Sequence, residues 1–383
     1  MPSIIYLDNN ATTRPTPEVV EAMLPYLTDI YANPSSVHRF GQLARKAIDD
    51  ARASVADLIN CRDADLAFTS AGTESVNTAI RGILAARAPR KRIITSTTEH
   101  SATRELCQQL AREGAEICQI AVDHEGRLDL SAFTAALSEE TALVSLLWAN
   151  NETGVIFPIA QVAEQCRNLR VPFHVDGTQA VGKIPVDVQA SNIDAMSFAA
   201  HKFHGPKGIS ALYARRGLRM RPLLIGGPQE RQRRGGTENV PGIVGMGKAA
   251  QLAKQHLADM PGVAQLRDRL ESEVLKRIPE TSVNGDTEHR IPNTTNISFA
   301  QLEAEAILLL LSEQDICASA GAACSSGSLD PSPVLQAMKI DPRKAHGAIR
   351  FSLSRMTTEE EITRTLDVLP NVIAKLRKVM PAR

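Results

Sequence analysis

Short apolar runs alternate with amphipathic segments from about residue 17 to residue 250. Apolar runs of strand length predict buried strands, whereas apolar side chains that recur at the spacing of one helix face predict helices. Strands are expected at residues 65–69, 92–96, 142–148, 171–175 and 195–199. Helices are expected from residue 74, at 101–112 and at 159–167. Buried strands that alternate with helices indicate an α/β domain with a mostly parallel sheet flanked by helices.

The pattern changes after Val240, where the helical repeats become longer. Helices are expected at residues 249–260, at 263–278, from 303 and at 359–379, with strands at 296–299 and 349–354. This mixture predicts a second, smaller α+β domain. We therefore expect a large domain over residues 15–250 and a small domain formed by residues 1–14 and 251–383.

Composition and charge argue against two classes of partner. Lys+Arg and Asp+Glu both total 43, so the formal net charge is zero and gives no electrostatic reason to expect nucleic acid or an anionic membrane as partner. The longest apolar runs fall far short of the roughly 20 residues that a membrane-spanning helix needs. The N-terminus lacks a basic segment followed by an apolar one, so no secretion signal is expected. We therefore expect a cytoplasmic protein.

The six cysteines do not form a recognisable metal or redox motif. They are Cys61, Cys107, Cys118, Cys166, Cys317 and Cys324. No C-x-x-C pair occurs, so neither a zinc site nor a dithiol redox site is expected. Scattered cysteines of this kind are usually reduced, buried and inert. We expect that interpretation to hold for five of the six.

Two charged side chains follow expected strands. Asp176 comes at the end of one apolar run, and Lys202 follows the next one and precedes a Gly-Pro turn. A lysine held neutral by desolvation is a nucleophile for carbonyl groups, and a carboxylate keeps the pyridine nitrogen of pyridoxal phosphate (PLP) protonated. Each residue alone has an ordinary alternative, since most lysines are solvated and strand-end aspartates commonly cap turns. The pair in this order is more specific.

A turn of small residues precedes the helix expected from residue 74. Gly72 and Thr73 lie in this turn, where backbone N–H groups and a hydroxyl would form a cradle for a phosphate group. The same residues would serve equally well as an ordinary N-terminal cap. Further along the chain, His100 could place an imidazole over a flat ring, although a lone histidine is more often a satisfied polar residue.

Ordered motifs along almost the whole chain resemble those of the NifS/IscS-type cysteine desulfurases, a branch of the class-V aminotransferase-like, fold-type-I PLP enzymes. The matching segments are residues 6–13 (YLDNNATT), 33–36 (NPSS), 150–154 (NNETG), 173–179 (FHVDGTQ), 201–208 (HKFHGPKG), 234–239 (RGGTEN), 318–328 (ASAGAACSSGS) and 346–352 (HGAIRFS). The resemblance implies the PLP-dependent transferase fold and an enzyme that takes sulfur from L-cysteine and leaves L-alanine.

The resemblance also implies roles for individual residues. Lys202 would hold PLP covalently, Asp176 would pair with the pyridine nitrogen, and His100 would stack on the ring and move protons. Gln179 and Asn151 would contact the 3-oxygen and the substrate side of the cofactor.

The phosphate and the substrate carboxylate would be held by further residues that the resemblance indicates. Gly72, Thr73 and His201 would bind the phosphate, together with Thr237 from the partner subunit of a homodimer. Arg350 would clamp the substrate carboxylate, a task suited to its planar guanidinium.

Cys324 would accept the sulfur as a persulfide, in a catalytic-cysteine loop of about residues 318–332. A free thiol with a pKa near about 8.5 is only a few per cent thiolate at pH 7, so a protonated His100 is expected to raise that fraction. The sulfur would then pass to an iron-sulfur scaffold or another acceptor protein. General iron-sulfur assembly, nitrogenase maturation and tRNA thiolation all stay open as the pathway.

One position departs from the family pattern. Many members have a serine two residues before the histidine of the His-Lys pair, where its hydroxyl binds phosphate, and this chain has Ala199. A hydrogen bond to a charged group contributes about 1.5–3 kcal/mol, so PLP would be held more loosely unless Ser197 or a water compensates.

Rival functions use the same residues differently. A selenocysteine lyase or an aminotransferase on this fold would need Lys202, Asp176 and Arg350 equally, and only Cys324 favours desulfuration. A non-enzymatic sulfur carrier would leave Lys202 and Asp176 without purpose.

Overall fold

Strands account for three sheets in the computed structural model, which describes residues 4–320 and 331–379. The strands are β1 (Ile5–Tyr6), β2 (Leu66–Thr69), β3 (Arg92–Ser96), β4 (Glu116–Ile120), β5 (Thr141–Leu147), β6 (Phe173–Asp176), β7 (Ala195–Ala199), β8 (Ser210–Ala214), β9 (Thr281–Val283), β10 (Thr294–Phe299), β11 (Ile316–Cys317) and β12 (Ala348–Ser352).

The helices lie between and around these strands. They are α1 (Pro17–Met23), α2 (Pro25–Thr28), α3 (Arg39–Leu58), α4 (Gly72–Ala86), α5 (Ser101–Arg112), α6 (Leu130–Ala136), α7 (Ile159–Asn168), α8 (Val240–Gln255), α9 (Met260–Arg277), α10 (Ala304–Ser312), α11 (Pro333–Ala337), α12 (Pro342–Ala345) and α13 (Glu359–Val379). Among the described residues, no helix is both long and apolar enough to cross a membrane.

The main sheet has seven strands in the order β2-β8-β7-β6-β5-β3-β4. Strands β4, β3, β5, β6 and β7 run parallel, and β8 and β2 add antiparallel pairs at one edge. Successive residues of β5 serve opposite faces, since Leu143 joins the apolar cluster with α4 and α5 while Val144 joins the cluster with α3, α7 and α8. Burial on both faces explains why its sequence is apolar throughout, and the predicted α/β class is confirmed.

A second apolar cluster lies outside this sheet. It combines β1 and β11, which pair in parallel, with the antiparallel sheet β12-β10-β9 and helices α9, α10 and α13. The chain passes from the first cluster to the second between Ala253 and Met260. Leu335 and Ala348, however, return to the first cluster. The boundary proposed near residue 250 stays a prediction.

The helix expected at residues 249–260 is wrong in its bounds. Helix α8 begins at Val240 and ends at Gln255, and a 3₁₀ turn, His256–Asp259, leads directly into α9. Pro241 explains the earlier start, because proline is favoured in the first turn, and Asn239 caps the helix by accepting the Gly242 N–H at 3.1 Å.

Candidate active site

The carboxyl ends of β5, β6 and β7 open onto a cavity of about 620 Å³. Ligands of open parallel sheets bind at this edge, because the loops that leave the strands converge there. Nine of the eleven residues predicted for the site line this cavity. Those that line it are Gly72, Thr73, His100, Asn151, Asp176, Gln179, His201, Lys202 and Arg350.

Asp176 is the last residue of β6 and is 6% exposed. The turn that follows holds its carboxylate, since the Thr178 N–H donates to Asp176 Oδ1 at 3.0 Å. Asp176 lies opposite Leu147 of β5 and Ser197 of β7 in the sheet register, which places it in the middle of the cavity floor. The backbone of the turn therefore holds the Asp176 carboxylate in place.

Lys202 ends the 3₁₀ turn that follows β7. Its Nζ donates to the backbone oxygens of Asn10 and Ala11, at 2.7 and 2.8 Å. The adjoining strands β6 and β7 therefore bring Lys202 and Asp176 into one cavity, as the sequence predicted.

Asn10 connects the cavity floor to the second apolar cluster. Its backbone oxygen accepts from Gln179 Nε2 at 3.0 Å as well as from Lys202. Its side-chain oxygen accepts from Lys183 Nζ at 2.8 Å, and its amide nitrogen donates to the backbone oxygen of Asn151 at 3.1 Å. Because one residue contacts this many others, the N-terminal segment fixes the positions of the groups around Lys202.

Gln179 and Lys183 form a buried pair beside this network. Both are 5% exposed, and Lys183 Nζ donates to Gln179 Oε1. Burial first, and then the nearby Lys202, lower the pKa of Lys183 well below its usual value. The Gln179 amide already bonds Asn10 and Lys183, so it has one N–H left for the predicted contact with a cofactor oxygen.

His100 lies immediately before α5 and caps it, with Nδ1 accepting the Ala102 N–H at 3.1 Å. Burial lowers the pKa of His100, which favours the neutral ring. Because Nδ1 accepts a hydrogen bond, the neutral ring carries its proton on Nε2. The lowered pKa argues against the protonated His100 that was expected, and that expectation stays a prediction.

Glu99 is a further acid at the cavity, 3% exposed. Its Oε1 accepts from Ser96 Oγ at 2.6 Å and from the Leu147 N–H at 3.1 Å. Burial raises the pKa of Glu99 to about 8, so this carboxyl group is mainly protonated at pH 7. Asp176 is therefore not opposed by a second full negative charge.

The predicted phosphate residues meet at the start of α4. Gly72 and Thr73 are its first residues, and His201 lies on the same side of the cavity. His201 Nδ1 is 3.1 Å from Thr12 Oγ1, and burial followed by Lys202 lowers the pKa of His201 to about 4. A neutral histidine and two helix-end residues are suitable donors for a phosphate.

Ser197 does not compensate for Ala199. Its hydroxyl is fully buried and lies 2.9 Å from His174 Nε2, while His174 Nδ1 lies 2.9 Å from Ser145 Oγ. Successive β-strand residues point to opposite faces, so Ser197, two residues before Ala199, points to the same face as Ala199. Its hydroxyl, however, is already committed to the hydrogen bond with His174. Of the two alternatives considered for the missing hydroxyl, the serine is excluded.

Arg350 reaches the cavity from β12 and is 2% exposed. Its Nη2 forms an ion pair with Asp8 Oδ1 at 2.6 Å, and its Nη1 donates to the backbone oxygen of Asn151 at 3.0 Å. The guanidinium is thus charge-balanced and oriented before any substrate binds. A substrate carboxylate would have to share it with Asp8 or displace Asp8.

Two predicted residues are not among those that line the cavity. Thr237 is exposed on the segment before α8, so a role toward the partner subunit stays a prediction. Cys324 lies outside the described residues. Ser332 follows the undescribed segment, and its hydroxyl donates to the buried Glu152.

Five residues of the site were not predicted from the sequence. They are Asp8, Asn10, Glu99, Thr178 and Lys183. Asp8 and Asn10 lie within the YLDNNATT motif and Thr178 within FHVDGTQ, whereas Glu99 and Lys183 lie outside the quoted motifs. Nothing in the motifs indicated that Asp8 would pair with Arg350 or Asn10 with Lys183, which are distant in the chain.

The chain is similar to a known family over almost its whole length. The aminotransferase class-V family model matches residues 5–365. "Cysteine desulfurase 2" of Trichormus variabilis is 52% identical over 99% of this chain and 95% of its own length. "Cysteine desulfurase NifS" of Azotobacter vinelandii is 50% identical over 98% of this chain and 94% of its own length.

Solved structures agree with these relatives. A "NifS-like protein" is 35% identical with a TM-score of 0.92, over 98% of this chain and 100% of that one. "SspA in complex with cysteine" is 32% identical with a TM-score of 0.81, over 92% of this chain and 99% of that one. The chain therefore belongs to the aminotransferase class-V family and, within it, to the NifS-type cysteine desulfurases. The predicted family and fold are confirmed.

Proposed function

We propose that this chain is a cysteine desulfurase that uses PLP bound at Lys202 and transfers the sulfur of L-cysteine to Cys324. The observation that carries the proposal is the placement of Asp176 and Lys202 at neighbouring strand ends in one cavity, with Arg350 reaching it from β12. An amine, a carboxylate and a guanidinium are the groups that a PLP enzyme needs for an amino-acid substrate.

The residues present fit PLP. Gly72 has no Cβ, and one built there would lie 3.7 Å from Ala199 Cβ and 3.8 Å from Thr178 Oγ1, so the start of α4 stays open to a phosphate. Asp176 would hold the pyridine nitrogen and Lys202 the aldehyde carbon. When bound, PLP supplies an electron sink for the pair released at the substrate Cα.

The chain's own side chains would move the protons. The Lys202 amine lies beside the Asn10 and Ala11 carbonyls, and in its free form it could take the Cα proton. His100 presents its Nε2–H, so it can donate a hydrogen bond to the substrate. Arg350 would hold the substrate carboxylate, which orients Cα toward Lys202.

Sulfur transfer requires a thiolate. The Cys324 thiolate would form a bond to the substrate sulfur while the carbon–sulfur bond of the substrate breaks. The electron pair of that bond stays on the carbon, which takes a proton and becomes the methyl group of alanine. Cys324 is left as a persulfide, which a sulfur-acceptor protein such as an iron-sulfur scaffold would collect.

The proposal includes a homodimer in the cytoplasm. Thr237 is exposed and belongs to a segment that Arg234 fastens to α4 through an ion pair with Glu74 at 2.9 Å. A hydroxyl held near the start of α4 in this way could reach the phosphate site of a second subunit.

The direct test is product analysis with L-cysteine as the only amino acid. The PLP-loaded protein should release alanine and, in the presence of a reductant, sulfide in equal amounts. The matched control is the same protein after removal of PLP, which should release neither. Formation of pyruvate-type keto acids in place of alanine would indicate an aminotransferase and contradict the proposal.

A further inference from the structure

Thr178 presents a hydroxyl group to the cavity beside the start of α4. It lines the cavity together with Gly72, Thr73 and Ala199. Thr178 Oγ1 lies 3.8 Å from the point where a Gly72 Cβ would stand. None of the described residues forms a hydrogen bond with this hydroxyl, whereas the Thr178 N–H donates to Asp176. The hydroxyl is thus available to a ligand at this end of the cavity.

Apart from Thr73, which is already assigned to the phosphate cradle, the neighbouring positions do not supply a hydroxyl there. Ala199 offers only a methyl group, 3.7 Å from the same point. Ser197 is fully buried and bonded to His174, and Thr12 Oγ1 contacts His201 Nδ1. Thr178 is therefore well placed to supply the hydrogen-bond donor that Ala199 lacks.

The backbone gives Thr178 a fixed position. Asp176 Oδ1 accepts the Thr178 N–H at 3.0 Å, and the following residue, Gln179, is anchored on Asn10. A threonine hydroxyl held in this way loses little freedom when it donates to a ligand, because the turn has already been ordered. The same short turn carries the carboxylate proposed for the pyridine nitrogen.

We propose that Thr178 donates a hydrogen bond to the phosphate of PLP and substitutes for the serine hydroxyl that Ala199 lacks. The proposal rests on the proposed function, since it assumes that PLP occupies this cavity. It adds a cofactor-binding residue that determines how tightly the phosphate end is held.

The test is the affinity of the apoprotein for PLP, measured by the change in absorbance or fluorescence on titration. Thr178→Val keeps the shape and removes the donor, so the Kd for PLP should rise about tenfold or more. Thr178→Ser keeps the donor and should stay close to the starting protein. Adding Ala199→Ser to Thr178→Val should recover most of the lost affinity.

Pyridoxal, which has no phosphate, is the matched control ligand. Its Kd should be unchanged in Thr178→Val, because the hydroxyl acts on the phosphate alone. Equal losses for PLP and pyridoxal, or no loss for PLP, would overturn the inference. If Thr178→Val does not fold, judged by circular dichroism, Thr178→Ala serves for the same comparison.

The outcome can be separated from the fate of the proposed function. If borohydride traps no PLP on Lys202 of the starting protein, the proposed function itself fails. If PLP is trapped there normally but Thr178→Val binds it with undiminished affinity, only the inference about Thr178 fails.

Discussion

The two sides of the cavity are assembled in different ways. The strand-end side, made of Gly72, Asp176 and Lys202, comes from residues at or shortly after the ends of strands of one sheet. The closing side, made of Asp8, Asn10 and Arg350, comes from opposite ends of the chain, joined by the Asp8–Arg350 ion pair at 2.6 Å. The first side presents groups that a cofactor would use, and the second presents groups for the substrate carboxylate.

The electrostatics of the two sides differ in the same sense. Among the described residues Asp176 forms no ion pair, whereas Arg350 is already paired with Asp8. A bound cofactor would therefore bring a positive charge to Asp176, whereas a substrate carboxylate would compete with Asp8 for Arg350. We expect substitutions on the first side to lower the rate of the chemical step, and substitutions on the second to weaken substrate binding.

The largest effect is expected for Lys202→Ala. The variant has neither the amine that holds the cofactor nor the base for Cα, so turnover should be abolished, although PLP should still bind noncovalently. The measurement is alanine release, together with borohydride reduction and mass spectrometry of the starting protein. A reduced PLP adduct on a lysine other than Lys202 would contradict the assignment.

A loss of more than about a hundredfold in kcat is expected for Asp176→Asn. The amide keeps the shape but removes the charge opposite the pyridine nitrogen, and a broken buried ion pair costs about 3–5 kcal/mol. Even about 3 kcal/mol in the barrier exceeds a hundredfold in rate. Near-normal kcat in the PLP-loaded variant would rule out the electron-sink role of Asp176.

A smaller effect is expected for Arg350→Lys. Lysine keeps the charge but cannot make the two parallel hydrogen bonds of a guanidinium, so KM for L-cysteine should rise about tenfold with a small change in kcat. PLP affinity is the control and should be unchanged. An equal fall in kcat without a change in KM would place Arg350 on the chemical step and undo the division between the two sides.

The smallest effect concerns the pH dependence of the free energy of unfolding, through His174 of β6. Burial lowers the pKa of His174 to about 4, below its ordinary value of 6.5. Below pH 6.5 the unfolded chain binds a proton at this residue that the folded chain does not bind, until the pH nears 4. The free energy of unfolding should therefore fall as the pH is lowered through this window, by up to about 1.4 kcal/mol per pH unit.

His174→Asn isolates that contribution. Urea unfolding of the apoproteins at pH 7 and pH 5 should show a weaker pH dependence in the variant, by about one proton. The other histidines whose pKa is lowered, His100, His201 and His204, titrate in both proteins and cancel in the difference. Identical pH dependences would mean that His174 is not held neutral by burial.

The strand-end side could be predicted from the sequence because it follows local rules. The run 195–199 was assigned as a strand with the bounds of β7, and 101–112 with the bounds of α5. Asp176 and Lys202 then followed from their positions after strands. Strand β4 was missed because it is only partly buried at the sheet edge, so its sequence lacks a continuous apolar run.

The closing side could not be predicted in the same way. The contacts of Asn10 with Lys183 and Lys202, and of Asp8 with Arg350, join segments that are far apart in the chain. The lowered pKa of His100 was also not predicted, because the burial of the ring depends on the whole cavity. The family resemblance supplied Arg350 as a candidate, but the Asp8 pair became visible only in the structure.

Cys324→Ser tests the central claim most directly, because the residues proposed to bind PLP and substrate, Lys202, Asp176 and Arg350, are different from the proposed sulfur acceptor. The folded variant should bind PLP at Lys202 and still change its absorption spectrum when L-cysteine is added. A hydroxyl cannot accept sulfur as a persulfide, so alanine and sulfide release should nearly vanish. Alanine release at the rate of the unsubstituted protein, from a folded and PLP-loaded Cys324→Ser variant, would contradict the proposed function.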